Sequence, residues 1–155
     1  MTAHEAPVSQ TVEWYTPPEV FARLDMDFDL DPASPIGGLA WIPANRYYSI
    51  HDDGTRAEWR GAVWLNPPYG PSCPLFVDRM IEHGNGVMLV AGRTETRWFQ
   101  RAAMAADLVA FARDRIHFIR QDGLQARSSF ASVFMAFGDR AASHLGRADF
   151  GWTPR

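Results

Sequence analysis

The feature that most constrains this chain is a short apolar run that stops at two consecutive prolines. Residues 62–65 (AVWL) are followed directly by Asn66, Pro67, Pro68 and Tyr69. The apolar run predicts a buried strand, and the prolines end it because proline cannot donate to a sheet ladder. The sequence therefore presents an amide, two rigid carbonyls and an aromatic ring at the carboxyl end of a strand, where open α/β sheets bind ligands.

This tetrapeptide suits methyl transfer to a planar exocyclic amine or amide nitrogen. The lone pair of such a nitrogen is delocalised, so the nitrogen is a weak nucleophile until acceptors hold its hydrogens. The Asn66 side-chain oxygen and the Pro67 carbonyl are two such acceptors, and Tyr69 offers a stacking face for a substrate ring. Asn66 has no usable pKa, so we expect it to position and stabilise the substrate. The alternative is a plain turn that ends a strand.

Charge is divided unevenly along the chain. The net charge is −7 over residues 1–92 and +4 over residues 93–155. All 15 cationic side chains are arginine, whose planar guanidinium suits phosphate and base-edge contacts. A coding bias explains the missing lysines equally well, so the segregation of charge is the better indication of a nucleic-acid partner.

Several classes of protein are excluded or disfavoured by what the sequence lacks. Cys73 is the only cysteine, which excludes an internal disulfide and a multi-cysteine zinc site. The histidines are scattered without metal-ligand spacing, so we expect no metal. There is no apolar run long enough to cross a membrane and no basic-then-apolar leader, so we expect a cytoplasmic protein.

We expect one domain over residues 13–155, preceded by a flexible segment over residues 1–12. Thr16 is predicted to cap the first helix, and residues 39–60 are predicted to be irregular. Strands and helices are expected to alternate, which predicts a three-layer α/β sheet, mostly parallel with an antiparallel edge. The predicted strands cover residues 27–31, 62–65, 86–91, 107–112, 116–119 and 130–137, and helices are predicted to begin near residues 17, 72 and 96.

Three carboxylates are candidate ligand contacts. Asp31 ends a predicted strand, where it suits the amino-acid or ribose end of a nucleoside-like cofactor or serves as a solvated strand end. Asp52 and Asp53 precede Gly54. They either form a turn or accept hydrogen bonds from the adenine amino group or ribose hydroxyls of a cofactor.

Three stretches occur in one order and together resemble the phage and prophage DNA N6-adenine methyltransferase family, the small Dam-like enzymes that use S-adenosylmethionine. They are residues 14–19 (WYTPPE), 29–34 (DLDPAS) and 63–69 (VWLNPPY). The similarity runs from about Glu13 to about Gly138 and includes residues 93–99 (RTETRWF) and 115–118 (RIHF).

The resemblance implies a Rossmann-like methyltransferase sheet, S-adenosylmethionine as cofactor and DNA as partner in a bacterial or phage-infected cell. The residues that match the catalytic loop are Asn66, Pro67, Pro68 and Tyr69. The implied cofactor contacts are Thr16, Pro17, Asp31, Pro32, Ala33, Asp52 and Asp53. The basic carboxyl-terminal part supplies the candidate DNA contacts Arg93, Arg97, Arg101, Arg115 and Arg120, although solvated arginines on a helix and hairpin would give the same pattern.

Two departures limit what the resemblance implies. The loop at residues 35–38 (PIGG) has a looser glycine pattern than larger methyltransferases of this type, and no separate target-recognition domain fits in 155 residues. The recognition sequence, the choice between monomer and dimer, and the choice between a restriction-modification and a regulatory role stay open. The other functions that fit are a protein-glutamine methyltransferase, an RNA-adenine methyltransferase and a catalytically idle DNA-binding module.

Overall fold

The computed structural model describes residues 13–155, so the predicted flexible segment at residues 1–12 lies outside the described residues. In chain order the elements are β1 (Trp14–Tyr15), α1 (Pro18–Leu24), β2 (Phe28–Asp31), β3 (Ala44–Tyr47), β4 (Val63–Leu65), α2 (Cys73–His83), β5 (Gly86–Ala91), α3 (Arg97–Ala105), β6 (Leu108–Ala112), β7 (His117–Arg120), β8 (Gln125–Arg127), β9 (Ser132–Phe137), α4 (Asp139–Ala148) and β10 (Gly151–Trp152).

Seven strands form one mixed sheet in the order β10-β6-β9-β5-β4-β2-β3. The neighbours among β3, β2, β4 and β5 are parallel, as predicted for the centre of the sheet. The antiparallel part is larger than the predicted edge, because β9 lies between β5 and β6 and is antiparallel to both. Strand β10 adds a third antiparallel pair.

The sheet has a hydrophobic core on each face, which gives the predicted three layers. Helices α1 and α4 pack on one face through a cluster that includes Phe21, Trp64 and Leu145. Helices α2 and α3 pack on the other face through a cluster that includes Met80 and Phe99. Strand β5 serves both cores, since Val87 and Leu89 face the first and Met88 and Val90 the second, as expected for a strand that helices cover on both faces.

A second, three-stranded sheet has the order β1-β7-β8 and is antiparallel throughout. The strand predicted at residues 116–119 is confirmed as β7, but it lies outside the seven-stranded sheet. It instead forms the first arm of a β7–β8 hairpin inserted between β6 and β9, and Trp14 and Tyr15 pair with it. An edge-to-face contact between Trp14 and Phe118 attaches the small sheet to the core on the α1 side.

Besides β1 and β8, the sequence patterns missed three elements. Strand β3 lies at a sheet edge and is largely exposed, so it lacks the alternation of a half-buried strand. Helix α4 buries Ala141, Leu145 and Ala148, and small side chains give a weak periodic signal. Strand β10 is only two residues long.

The topology creates a crevice between the carboxyl ends of β2 and β4. After β2 the chain first forms β3 on one side of β2 and then returns to form β4 on its other side. Where the connections that follow two neighbouring parallel strands run in opposite directions, a crevice opens at the carboxyl ends of those two strands. Asp31 is the last residue of β2, and Asn66 follows the last residue of β4.

Candidate active site

The tetrapeptide at residues 66–69 directly follows β4, a buried strand of the main sheet. Val63, Trp64 and Leu65 are at most 1% exposed, and each pairs with β5. Asn66 is half-buried, Pro67 is buried, and Pro68 and Tyr69 are exposed. The amide therefore lies at the boundary between core and solvent, as the sequence predicted from the prolines.

Asn66 is held by the segment between β1 and α1. Its side-chain nitrogen Nδ2 donates to the Trp14 carbonyl and to Thr16 Oγ1, both at 3.2 Å. A carbonyl can only accept, so the nitrogen and not the oxygen must face Trp14. Within residues 13–155 the Asn66 Oδ1 atom accepts no hydrogen bond, and it is not fully buried. The acceptor oxygen is thus free to meet a ligand.

Thr16 does not cap α1, so that prediction is wrong. The residue that precedes the helix is Pro17, with no side-chain cap, and the Thr16 hydroxyl accepts from Asn66 instead. Thr16 is 1% exposed, and its carbonyl accepts a hydrogen bond of 2.8 Å from the indole nitrogen of Trp41. Trp41, from the segment predicted to be irregular, therefore supports the site from behind.

A cavity of about 170 Å³ adjoins the tetrapeptide. The carboxyl end of β5 and Cys73 at the start of α2 line it. Burial raises the pKa of the Cys73 thiol to about 11, so the thiol stays protonated at neutral pH and is a poor nucleophile. The lining residues are Asn66, Pro67, Tyr69, Gly70, Cys73, Leu89, Val90, Ala91, Arg93 and Trp98.

Trp98 is an aromatic cavity residue that the sequence analysis does not single out. It lies in the first turn of α3, next to the buried Phe99. In the sequence, Trp98 stands out only as part of the stretch 93–99 that carries the resemblance, and nothing in the spacing of that stretch distinguishes a cavity wall from a core position. Arg93, which was predicted as a DNA contact, lines the same cavity.

Asp31 is buried at the tip of β2. It is 4% exposed, and its Oδ1 accepts a hydrogen bond from the Ala33 backbone N–H. Burial removes hydration from the carboxylate and raises its pKa to about 7, and the Ala33 N–H opposes part of that shift. Asp31 is thus a solvent-shielded carboxyl rather than a solvated strand end.

Ser34, in the loop after β2, was also missed. Its backbone N–H donates to the Tyr48 carbonyl, and its side chain is more than nine-tenths buried. Within the described part of the chain, its hydroxyl Oγ has no hydrogen-bond partner. An unsatisfied buried hydroxyl costs about 1–3 kcal/mol, so this loop holds a polar group for which a bound molecule is a natural partner.

Asp52 and Asp53 lie in a turn that packs against this loop. Asp52 accepts from the Ser49 N–H and hydroxyl. Asp53 has a left-handed backbone (φ 52°) and accepts from Thr55. Gly54 touches the Pro32 carbonyl so closely that a Cβ atom would lie 2.0 Å from it. The turn expected from the sequence is present, and it lies directly beside the Asp31–Ser34 loop.

The five arginines predicted to contact DNA have different surroundings. Arg93 pairs with Glu95 at 2.8 Å and lies 5.5 Å from the centre of the Phe130 ring. Arg97 is exposed in the first turn of α3. The other three are also exposed and have partners within the protein: Arg101 with Asp78, Arg115 with the Ser128 carbonyl and Arg120 with Asp122.

Two kinds of feature are not found in the described range. Across residues 13–155, no three His, Cys, Asp or Glu side chains are grouped so that they could hold a metal ion. None of the helices in that range is both long and apolar enough to cross a membrane.

Comparison with known proteins identifies a family. A family model described as DNA N-6-adenine-methyltransferase (Dam) matches residues 4–144, which is most of the chain. No curated protein and no solved structure matches the chain significantly. The matched range includes both the segment around Thr16 and the tetrapeptide at Asn66.

Proposed function

The chain belongs to the DNA N-6-adenine-methyltransferase (Dam) family, and on that premise we propose that it transfers the methyl group of S-adenosylmethionine to the N6 amino group of adenine in DNA. The observation that carries the proposal is the orientation of Asn66. Its two amide hydrogens are used inside the protein, while its Oδ1 atom stays free beside a cavity.

The adenine amino nitrogen needs acceptors more than it needs a base. Its lone pair is shared with the ring, so it attacks an electrophile only when its hydrogens are held away from the ring plane. Asn66 Oδ1 and the Pro67 carbonyl would accept those two hydrogens, and both are fixed before the substrate arrives. Neither group titrates near neutral pH, so the proposal predicts positioning and electrostatic stabilisation of the amine, not proton abstraction.

The cavity beside the tetrapeptide would receive a base that has left its duplex stack. Tyr69 and Trp98 both line it and would supply aromatic faces, and Pro67 and Pro68 would keep the loop rigid.

The cofactor would lie across the crevice between β2 and β4, and we infer that the mixed sheet is a Rossmann-like methyltransferase sheet. The donor set fits a ligand rich in hydroxyl and amino groups, since Asp31 is a shielded carboxyl and Ser34 has a buried hydroxyl without a partner. S-adenosylmethionine would supply an electrophilic methyl group on a positively charged sulfur. The residues proposed to hold it are Pro17, Asp31, Pro32, Ala33, Ser34, Asp52 and Asp53.

DNA would approach along the basic carboxyl-terminal part. Arg93 at the cavity rim and Arg97 in the first turn of α3 are the strongest of the proposed phosphate contacts. Arg101, Arg115 and Arg120 would contribute mainly to the general positive field, because each has an intramolecular partner and none of them lines the cavity. Arg93 is also paired, with Glu95, but it lies at the cavity itself. A DNA substrate implies action in the cytoplasm of a bacterial or phage-infected cell.

The test is transfer of labelled methyl from S-adenosylmethionine to unmethylated DNA, followed by nucleoside analysis. We expect N6-methyladenine from the wild-type protein and from an Asn45→Ala control, because Asn45 is exposed on the edge strand β3. We expect none from Asn66→Ala. Label that enters RNA or a protein glutamine but not DNA would replace the proposal with one of the other two methyl acceptors. Binding of DNA without use of the cofactor would identify an idle binding module.

A further inference from the structure

We propose that the Trp14 carbonyl and the Thr16 hydroxyl make position 66 specific for an amide, and that Thr16 is a positioning residue which acts through Asn66. The inference rests on the proposed function, since it concerns the residue that would hold the substrate amine. It assigns Thr16 a role different from the cofactor contact that the sequence resemblance implies.

Asn66 Nδ2 makes all of its hydrogen bonds within the protein. The amide nitrogen has two hydrogens and two acceptors, each at 3.2 Å. Both donors are therefore used within the protein. If the amide rotated by half a turn, Oδ1 would face the Trp14 carbonyl and two acceptors would oppose each other. The rotated state is disfavoured, so Oδ1 is held in the orientation that leaves it free.

The two acceptors, the Trp14 carbonyl and the Thr16 hydroxyl, belong to segments that are held in place by other parts of the fold. Thr16 is buried, and its carbonyl accepts from the Trp41 indole at 2.8 Å. Trp14 belongs to β1, which pairs with β7 in the register Trp14 with Arg120. The acceptors are thus anchored by two different parts of the fold, neither of which is the loop that contains Asn66.

A carboxylate at position 66 would not fit these two acceptors. Aspartate has nearly the same shape as asparagine but carries no amide hydrogens. One of its oxygens would lie against the Trp14 carbonyl, and both hydrogen bonds of Nδ2 would be lost. The site therefore distinguishes the amide from the acid by its own backbone, before any substrate binds.

The kinetic experiment compares Thr16→Val, Thr16→Ser and Asn66→Asp with the wild-type protein. Valine keeps the shape of threonine without an acceptor, and serine keeps the acceptor as the matched control. We expect Thr16→Val to lower kcat about fivefold to tenfold, the effect of losing one hydrogen bond, with KM for S-adenosylmethionine unchanged. Thr16→Ser should stay within about twofold of wild type, and Asn66→Asp should lose more than about 99% of kcat.

Opposite results overturn the inference. If Thr16→Val raises KM for S-adenosylmethionine and leaves kcat unchanged, Thr16 contacts the cofactor and does not position Asn66. If Asn66→Asp keeps wild-type kcat, the site does not require an amide. Asn66→Asp, together with the exchange of the Asn66 amide hydrogens in the wild-type protein, tests the inference even if Thr16→Val fails to fold.

A second measurement needs no activity. The Asn66 side-chain NH₂ signals can be assigned in a ¹⁵N correlation spectrum by their loss in Asn66→Asp. We expect their exchange with solvent to be slow in the wild-type protein and in Thr16→Ser and at least about tenfold faster in Thr16→Val. Fast exchange in the wild-type protein overturns the inference. Slow exchange in a protein that methylates no DNA would instead refute the proposed function and leave the positioning intact.

Discussion

Arg101 on α3 donates to Asp78 on α2 at 2.6 Å, and both side chains are about half exposed. The pair joins two helices of the same layer, which also pack through Phe76 and Ala102. Arg101 therefore has a partner within the fold, whereas Arg97, one turn earlier in the same helix, directly precedes Trp98, which lines the cavity. The two arginines offer a matched comparison.

We expect Arg97→Ala to weaken DNA binding and to lower the slope of log affinity against log salt by about 1, the value for one lost phosphate contact. Arg101→Ala should change that slope much less and should lower the free energy of unfolding by no more than about 1 kcal/mol, as for an exposed ion pair. Fluorescence anisotropy over a salt series measures the slope. Equal slopes for the two variants would contradict the assignment.

Asp31 predicts a pH dependence of stability. Its pKa is about 7 in the folded chain against the ordinary 3.8. The folded state thus keeps a proton that the unfolded chain releases at lower pH. The protonated Asp31 carboxyl therefore makes its full contribution to stability below about pH 4, and this contribution is lost as the pH rises through about 7. We expect the free energy of unfolding of wild type minus that of Asp31→Asn to fall by up to about 4 kcal/mol over this window.

Urea unfolding at several pH values checks this expectation. Asp27→Asn is the control, because Asp27 is exposed just before the same strand. A pH profile of Asp31→Asn that runs parallel to the wild-type profile would show that Asp31 titrates normally in the folded protein.

Ser34→Ala tests the buried hydroxyl. In the free protein the substitution removes an unsatisfied polar atom, so stability should stay equal or rise slightly. If Ser34 Oγ contacts the cofactor, the dissociation constant for S-adenosylmethionine should rise about threefold to tenfold. Isothermal titration calorimetry measures the constant, and Ser143→Ala on the exposed face of α4 serves as the comparison. A clear loss of stability without a change in affinity would assign the hydroxyl to the core.

Trp98→Ala tests the cavity as a base pocket. Stacking of a base on an aromatic side chain is worth about 1–3 kcal/mol, so we expect kcat/KM for DNA to fall about fivefold to a hundredfold. KM for S-adenosylmethionine should stay near wild type. Trp152→Ala removes an indole that is 67% exposed at the far edge of the sheet, and it should leave both parameters unchanged. A similar loss in the two variants would point to a general effect on stability.

The parallel half of the sheet and the place of Asn66 could be predicted because their signals are local. The apolar run of β5 and the prolines after β4 determine structure within a few residues of themselves. The contact between Thr16 and Asn66 could not be predicted, because it joins residues 50 positions apart. At Thr16 a threonine before two prolines matches a helix cap, and only the packed fold shows that its hydroxyl is used elsewhere.

The same limit applies to charges and small elements. Sequence shows that Arg101 lies a turn from Arg97, but only packing of α3 against α2 brings Asp78 into reach. The turn at Asp52 and Asp53 was predictable from its residues. Its contact with Pro32, which brings it next to the Asp31 loop, depends on Gly54. A Cβ atom at position 54 would clash with the Pro32 carbonyl.

The central place of β9 sets the order in which this protein can be completed during synthesis. Residues 132–137 leave the ribosome after almost every other strand, yet they fill the gap between β5 and β6. Until then both of those strands keep an open, apolar edge, which is the kind of surface that pairs with other chains. A nascent chain that stalls before residue 132 would therefore be prone to aggregate, although its tetrapeptide and both halves of its crevice have already been made.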